Sequence, residues 1–420
     1  MSSEGSESQR GGIRNVLRHR GYRRLLIAQT VSRWGDTFNA VALVIVVFQI
    51  TNSGINVSGV VALEIAPVLL LGFVAGTVVD RLPRRQVMIA ADLGRAMIAA
   101  LVAFNSDQLW ALYCAAFGLA ALTVFFNPAA SSLLPSLVDD DELVAANSAV
   151  WSTAVLSQIV LAPVAGAVVV TLGASVAFGI NSVTFLASAI ALSGLSGPPT
   201  EPPERRSRRA EIVEGIQIIR NSRLLGTLAA IQGLAALSAG ATSALLVVLA
   251  ERHLHIDATG FGLLLAAIGV GAGVGPLVLQ RYVNDVRHPL LLFGPYMLRG
   301  LVDLTLAAVS NFAVALMSLG FYGIGTSTAN VTYNTVLQTT TPDRFRGRIF
   351  AFYDIVWQTG RLISIGAGGI LADQLGIRGV YIMGGLLLLA AGTAGFALVP
   401  RTLMTTPITQ PTDITPIGRR

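Results

Sequence analysis

Twelve apolar blocks, each long enough to cross a lipid bilayer, occupy most of this 420-residue chain. A helix needs about 20 apolar residues to cross the hydrocarbon core, because each residue adds ~1.5 Å along its axis. Backbone groups inside that core must bond to one another, which favours helices over irregular chain. The blocks therefore predict an all-α protein with about twelve transmembrane helices. They lie at 25–49, 57–79, 86–105, 109–134, 145–170, 174–195, 224–250, 259–280, 288–309, 312–336, 347–372 and 378–400, and we number them spans 1 to 12.

The composition agrees with a multi-pass membrane protein. Hydrophobic residues make up 53% of the chain and charged residues 12%, whereas soluble domains carry about 25% charged residues. The N-terminus is polar and arginine-rich and runs directly into span 1, which is not the pattern of a cleaved signal peptide. The single cysteine, Cys114, provides neither a disulfide framework nor a cysteine metal cluster.

The basic residues, all of them arginine, fall mostly in alternate loops. The clusters lie at 10–24, 81–85, 205–223, 281–287 and 344–348, whereas the opposite loops hold only Arg252 and Arg378. Because basic loops stay on the cytoplasmic side, this pattern predicts an even number of spans with both termini in the cytoplasm. The net charge of +6 therefore indicates topology and no nucleic-acid partner.

The chain divides into two similar halves. A Pro-rich, charged cytoplasmic linker at 196–223 separates an N-terminal six-helix half (25–195) from a C-terminal one (224–400), and residues 1–24 and 401–420 form cytoplasmic tails. The motif Arg-Leu-Leu opens both span 1 and span 7, at an offset near 200 residues. This indicates a parallel duplication of two pseudo-symmetric halves.

The loop after span 2 has the form G-x-x-x-D-R-x-x-R-R, with Gly76, Asp80, Arg81, Arg84 and Arg85 at the fixed positions. Asp80 is at the C-terminal end of a helix, where the macrodipole disfavours negative charge. Its carboxylate therefore needs an arginine or the N-terminus of a neighbouring helix, and Gly76 lets that neighbour come close. We interpret this loop as a cytoplasmic gate.

This loop resembles the signature loop of the major facilitator superfamily. Further motifs resemble the branch that contains siderophore (enterobactin-type) exporters and macrolide or multidrug efflux proteins: Gln29-x-x-Ser32-x-x-Gly35-Asp36, Phe126-x-Pro128-Ala129, Leu143-x-x-Ala146-Asn147 and Pro342-x-x-x-Arg346-Gly347-Arg348. The resemblance implies two six-helix halves with a substrate cavity between them. It also implies export of a bulky amphiphilic molecule coupled to inward proton flow.

The chain departs from the drug antiporters at two places. Span 4 contains no arginine, and the glycine-rich motif of span 5 is reduced to Gln158-x-x-x-Ala162-Pro163-x-x-Gly166. Gln158 stays a candidate site residue, while proton antiport depends mainly on Asp36 and Glu64.

Ionisable residues inside apolar spans are costly and usually functional. Arg33, Asp36 and Asn39 share one face of span 1, and a carboxylate at the depth of Asp36 could exchange a proton near neutral pH. The alternative is a self-neutralising Arg33–Asp36 pair that only holds span 1 in the bundle. Glu64 is either a second proton or cation site or an acid reached by water. Arg361 could meet an anionic substrate.

Other charged residues point to the cytoplasmic gate or to packing. Asp92 and Arg95 in span 3 are expected to pair with each other and to support the gate loop. Asp354 could pair with that loop, and the helix start after Pro342 is a plausible partner for Asp80. We interpret Arg299 and Asp303 as a structural pair, and the acidic run 139–142 as the N-terminal cap of span 5.

We therefore expect a secondary transporter of the cytoplasmic membrane that exports a drug-like or siderophore-like molecule. Its partners are the small-molecule substrate, protons and the lipid bilayer; it acts as a monomer and needs no cofactor or metal beyond the proton gradient. No nucleophile–base cluster of an enzyme is recognisable. A lipid or lysophospholipid carrier, an importer of the same superfamily and a non-transporting membrane receptor remain alternatives.

Overall fold

The computed structural model describes residues 13–139, 142–195, 222–282, 288–341 and 343–399. These residues form helices joined by short turns, with no β-strand among them. The helices are α1 Ile13–Val16, α2 Arg20–Thr51, α3 Gly54–Arg81, α4 Arg84–Phe104, α5 Leu109–Leu133, α6 Leu143–Leu172, α7 Ala174–Ser193, α8 Arg223–Ala244, α9 Leu246–Arg252, α10 Ala258–Tyr282, α11 Pro289–Ala308, α12 Phe312–Thr340, α13 Asp343–Gln374 and α14 Ile377–Leu398.

Within the described ranges, eleven helices are long and apolar enough to cross a membrane. Eleven of the twelve predicted spans correspond to them. The exception is the predicted span 347–372, which lies in the 32-residue helix α13. This helix carries Arg348, Asp354 and Arg361 along its length, so its composition is less apolar than that of the others.

Local sequence signals set several helix boundaries. Ser53, Ser222 and Asn311 are N-caps whose side chains accept a hydrogen bond from a backbone N–H in the first turn. Gly173 and Gly376 join α6 to α7 and α13 to α14, with φ of 88° and 80°. This left-handed backbone favours glycine, and the two positions are about 200 residues apart, which matches the repeat in the sequence.

The chain forms two compact units. Unit 1 comprises residues 1–204 and 255–266, and unit 2 comprises 205–254 and 267–420. In unit 1, α2 packs against α6 and α7, α4 packs against α5 and α7, and α3 packs against α5. The buried core at one end of these helices includes Tyr22, Leu25, Met88, Phe126 and Leu133.

A glycine sets the close approach of α2 to α7. A Cβ placed on Gly35 would lie 2.9 Å from the Cα of Asn181 and would also collide with the Asn181 and Thr184 side chains. Only a residue without a side chain fits this position, so Gly35 permits the contact between the two helix backbones.

Three helix pairs of unit 2 repeat the packing of unit 1. The pairs α8–α14, α11–α14 and α11–α12 correspond in chain order to α2–α7, α4–α7 and α4–α5. Its core includes Leu225, Phe293, Tyr353 and Leu388. Each unit therefore has its own buried centre, built from helices in the same order.

Candidate functional site

A cavity of about 460 Å³ lies in unit 1 among α2, α3 and α5. Three predicted site residues border it: Asp36 and Asn39 from α2, and Glu64 from α3. The rest of the wall is mostly apolar, with Thr123 and Asn127 from α5 as further polar groups. A few polar groups in an apolar wall are typical of a small-molecule site.

A smaller cavity of about 70 Å³ shares Asp36, Thr123 and Asn127 with the first. Its wall also includes the side chains of Arg33 and Arg95. Asp36 therefore borders both cavities, and a predicted gate residue, Arg95, lines the same space as the predicted proton site.

The structure does not support a self-neutralising pair on α2. Among the described residues, no salt bridge joins Arg33 to Asp36. The Arg33 side chain is exposed, and its backbone oxygen accepts a hydrogen bond of 3.0 Å from Thr37 Oγ1. The Asp36 carboxylate is thus left without a fixed cation at salt-bridge distance in this part of the chain.

Asp92 and Arg95 form the predicted pair in α4, and they are 0% and 1% exposed. The Ser188 hydroxyl donates to Asp92 Oδ2 over 2.7 Å. The Arg95 guanidinium lies 4.4 Å from the ring centres of both Phe126 and Phe185. A buried ion pair needs such additional partners, because removing both charges from water costs several kcal/mol per ion.

Two arginines of the gate loop bind the ends of neighbouring helices. Arg84 donates to the Ser132 carbonyl over 2.9 Å, near the end of α5. Arg85 donates to the Leu192 carbonyl over 3.2 Å and to the Ser193 carbonyl, at the end of α7. Neither α5 nor α7 has a basic residue in its own last turn. The free carbonyls of a helix C-terminus favour a cation, so this loop supplies the missing charge.

Arg24 has a similar role, since it donates to the Gly194 carbonyl. Sequence reasoning missed these contacts, because which helix ends lie near the loop depends on tertiary packing. Arg81 is exposed at the end of α3. The surroundings of Gly76, the Asp80 side chain and residue Pro342 lie outside the described parts of the chain. The contact of Asp80 with the helix start after Pro342 therefore stays a prediction.

The remaining candidates are spread over the molecule. Gln158 is exposed on α6 and lines neither cavity of unit 1. In the same unit, the backbone of Ala258 lies against Gly166, and that of Ala162 against Gly262. The retained glycine of the reduced span 5 motif therefore permits a close helix contact.

Two candidates lie on α13. The Arg361 guanidinium contacts Gln358 Oε1 at 3.4 Å. Asp354 is exposed and borders a cavity within unit 2.

The structure modifies two packing interpretations from the sequence. Glu142 occupies the N-cap position of α6, but its side chain makes no capping hydrogen bond and its carboxylate bonds instead to His19 Nε2 at 2.7 Å. Asp140 and Asp141 lie outside the described residues, so their part in the cap stays a prediction. In unit 2, no salt bridge joins Arg299 to Asp303 in the described part of the chain. Arg299 donates instead to the Tyr322 hydroxyl over 2.9 Å. Two oppositely charged residues four apart on a helix can form an ion pair. They need not do so when another partner, here the Tyr322 hydroxyl, accepts the hydrogen bond of the arginine.

Comparison with known proteins assigns the fold and the family. A family model described as transmembrane secretion effector, MFS_3, matches residues 14–407. The chain is 26% identical over 394 residues to the multidrug efflux pump Tap of Mycolicibacterium fortuitum, covering 89% of this chain and 94% of that protein. It is 25% identical over 398 residues to the enterobactin exporter EntS of Citrobacter koseri, covering 89% and 92%.

A solved structure shares the fold. The inward-facing crystal structure of a bacterial homologue of the iron transporter ferroportin superposes with a TM-score of 0.74 at 17% identity, over 90% of this chain and 98% of that one. The predicted all-α membrane fold is therefore confirmed, and the proteins that it resembles are transporters rather than enzymes. The chain belongs to the transmembrane secretion effector family of the major facilitator superfamily.

Proposed function

We propose that this transporter exports an amphiphilic small molecule, drug-like or siderophore-like, and that inward proton flow through Asp36 drives the export. The observation that carries this proposal is the position of Asp36, which borders both cavities of unit 1 without a salt bridge among the described residues. A carboxylate in this setting can change its charge without first breaking an ion pair.

The surroundings of Asp36 suit a proton-exchanging group. Arg95, which lines the smaller cavity, is already bound to Asp92, so its charge stabilises Asp36 only from a distance. Glu64 offers a second carboxylate on the larger cavity, and the buried Asn39 amide offers a polar contact to substrate. The apolar remainder of the wall would accept a bulky amphiphile.

The relatives support the direction of transport. One is named as a multidrug efflux pump and another as an enterobactin exporter, and each aligns along most of its length. We therefore favour export over import. We also propose that the protein lies in the cytoplasmic membrane with both termini in the cytoplasm, as the arginine pattern indicates, and that it acts as a monomer without a cofactor.

The first test is Asp36→Asn, which keeps the shape of the side chain but removes its titration. We expect this variant to lose proton-driven transport by at least tenfold while binding of the transported dye and folding are retained. Transport is measured as dye accumulation by everted membrane vesicles after a pH gradient is imposed. Asp107→Asn is the matched control, since Asp107 is an exposed acid between α4 and α5.

If proton-driven dye transport were unchanged in Asp36→Asn, Asp36 would be excluded as the proton carrier. Dye binding without flux in the unaltered protein would favour a receptor. Substrate identity requires comparison of metabolites in the medium of producing and deletion strains.

A further inference from the structure

A second cavity, of about 310 Å³, lies within unit 2 among α8, α11, α12 and α13. Its volume is within the range of about 300–1,000 Å³ that small-molecule sites show. Five aromatic side chains line it: Tyr296, Tyr333, Phe350, Tyr353 and Trp357. No motif in the sequence indicated this cluster, because its members come from three helices that are distant along the chain.

The three tyrosine rings are held by contacts of their own. The rings of Tyr333 and Tyr353 meet edge to face, with centres 5.6 Å apart. The Tyr353 hydroxyl donates to the Leu225 carbonyl over 2.6 Å, and the Tyr296 hydroxyl contacts Gln232 Oε1 at 3.4 Å. Rings held in this way present a preorganised surface to a flat aromatic ligand, so less entropy is lost on binding.

Arg299 adds a buried cation to the wall. Its side chain borders the cavity, although the residue is only 4% exposed. One of its terminal nitrogens donates to the Tyr322 hydroxyl, and the guanidinium lies 4.7 Å from the centre of that ring. Its Nε atom is buried without a hydrogen-bond partner among the described residues.

Asp303, one turn along the same helix, attracts this cation, but no salt bridge joins the two among the described residues. Asp303 is 1% exposed, and its Oδ2 atom is also buried without a partner in the described part of the chain. A buried donor without an acceptor costs about 1–3 kcal/mol, and more for a charged group. The guanidinium of an arginine that borders a cavity is suited to bind a carboxylate, which accepts two parallel hydrogen bonds.

Other residues of the wall limit the charge of the ligand. Asp354 borders the cavity and is exposed, whereas Asn330 and Asn334 contribute uncharged amides. A second negative charge on the ligand would be repelled by Asp354. The lining of the cavity therefore suits a ligand with one anionic group, bound near Arg299, and one aromatic ring, packed against the aromatic side chains.

We propose that the cavity of unit 2 binds monoanionic aromatic compounds, with the carboxylate on Arg299 and the ring against the tyrosines and Trp357. This proposal names a substrate class for the export proposed above. It depends on the export proposal only for the claim that the bound compound is transported. Binding itself requires neither a proton gradient nor Asp36.

The test uses Trp357 as the reporter. The other three tryptophans, Trp34, Trp110 and Trp151, all lie in unit 1 and are 44%, 62% and 56% exposed, so each can be replaced by phenylalanine with little loss of packing. The full-length protein in detergent is titrated with 4-nitrobenzoate, whose nitro group quenches tryptophan fluorescence on contact. The uncharged 4-nitrobenzamide is the matched ligand, and cyclohexanecarboxylate is the non-aromatic acid.

We expect 4-nitrobenzoate to quench Trp357 with at least tenfold higher affinity than 4-nitrobenzamide, and cyclohexanecarboxylate to compete weakly. The double variant Arg299→Gln/Asp303→Asn removes both buried charges together, which protects folding better than Arg299→Gln alone. It should bind the acid no more tightly than the amide. Arg252→Gln, which alters an exposed pair with Asp373 at 3.5 Å, should retain the preference.

Equal affinity for acid and amide in the unaltered reporter protein would overturn the proposal. So would an acid preference that persists in a folded double variant. Failure here would leave the Asp36 result untouched, because that assay measures coupled flux. Conversely, loss of export in Asp36→Asn would not affect quenching of Trp357.

Discussion

Arg95 is the residue on which the buried charges of unit 1 depend. It neutralises Asp92, stacks between Phe126 and Phe185 and lines the cavity that Asp36 also borders. The spacing of Asp92 and Arg95 on one helix was enough to predict their pairing. The two phenylalanines were not predictable as partners, because they come from α5 and α7 and meet Arg95 only after the helices pack.

We predict that Arg95→Met destabilises the protein by about 3–5 kcal/mol, because it leaves the Asp92 carboxylate buried without its cation. The measurement is the midpoint of thermal unfolding in detergent. Arg95→Met combined with Asp92→Asn should recover most of the loss, since no unpaired charge then remains. If the single variant proved as stable as the unaltered protein, the pair would contribute nothing to folding.

At the scale of helices, positions were more predictable from the sequence than packing partners. Apolar length located the helices, and same-face spacing correctly grouped Asp36 with Asn39. The contacts that orient α2 could not be foreseen, because Gly35 was recognisable only as part of a motif. The structure shows that it allows α2 and α7 to touch.

We predict that Gly35→Ala lowers the stability of unit 1 by about 1–3 kcal/mol, the usual cost of forcing extra atoms into a packed contact. Gly179→Ala is the matched control, since a Cβ there would meet nothing within 4 Å. Both variants are compared by thermal unfolding in detergent and by retention of monodisperse protein on a sizing column. Equal stability of the two would show that α2 and α7 can separate without cost.

At the scale of the molecule, the arginine pattern and the packing of unit 1 agree with each other. Both indicate that successive loops lie on alternate sides of the membrane. Arg84 and Arg85 reach the C-terminal ends of α5 and α7, so these ends share a side with the loop after α3. Ser106, just after α4, and Ser175, in the first turn of α7, have hydroxyls 2.8 Å apart. The repeat was also predictable from the Arg-Leu-Leu motifs, whereas the aromatic cavity of unit 2 was not, since it leaves no local motif.

We predict that both termini face the cytoplasm. In a Cys114→Ser background, Ser8→Cys and Thr412→Cys should react with a membrane-impermeant maleimide only after the cells are opened. Asp107→Cys, in the loop after α4, should react in intact cells. Labelling of either terminus in intact cells would contradict the orientation, and labelling of all three would indicate leaky membranes and require sealed spheroplasts.

The arginines that bind the ends of α5 and α7 have a consequence for how unit 1 can move. Arg84 and Arg85 are neighbours at the start of α4, yet they bind the ends of two different helices. The C-terminal ends of α5 and α7 are therefore tied to one helix start. A movement of α4 that keeps these hydrogen bonds must carry both ends with it.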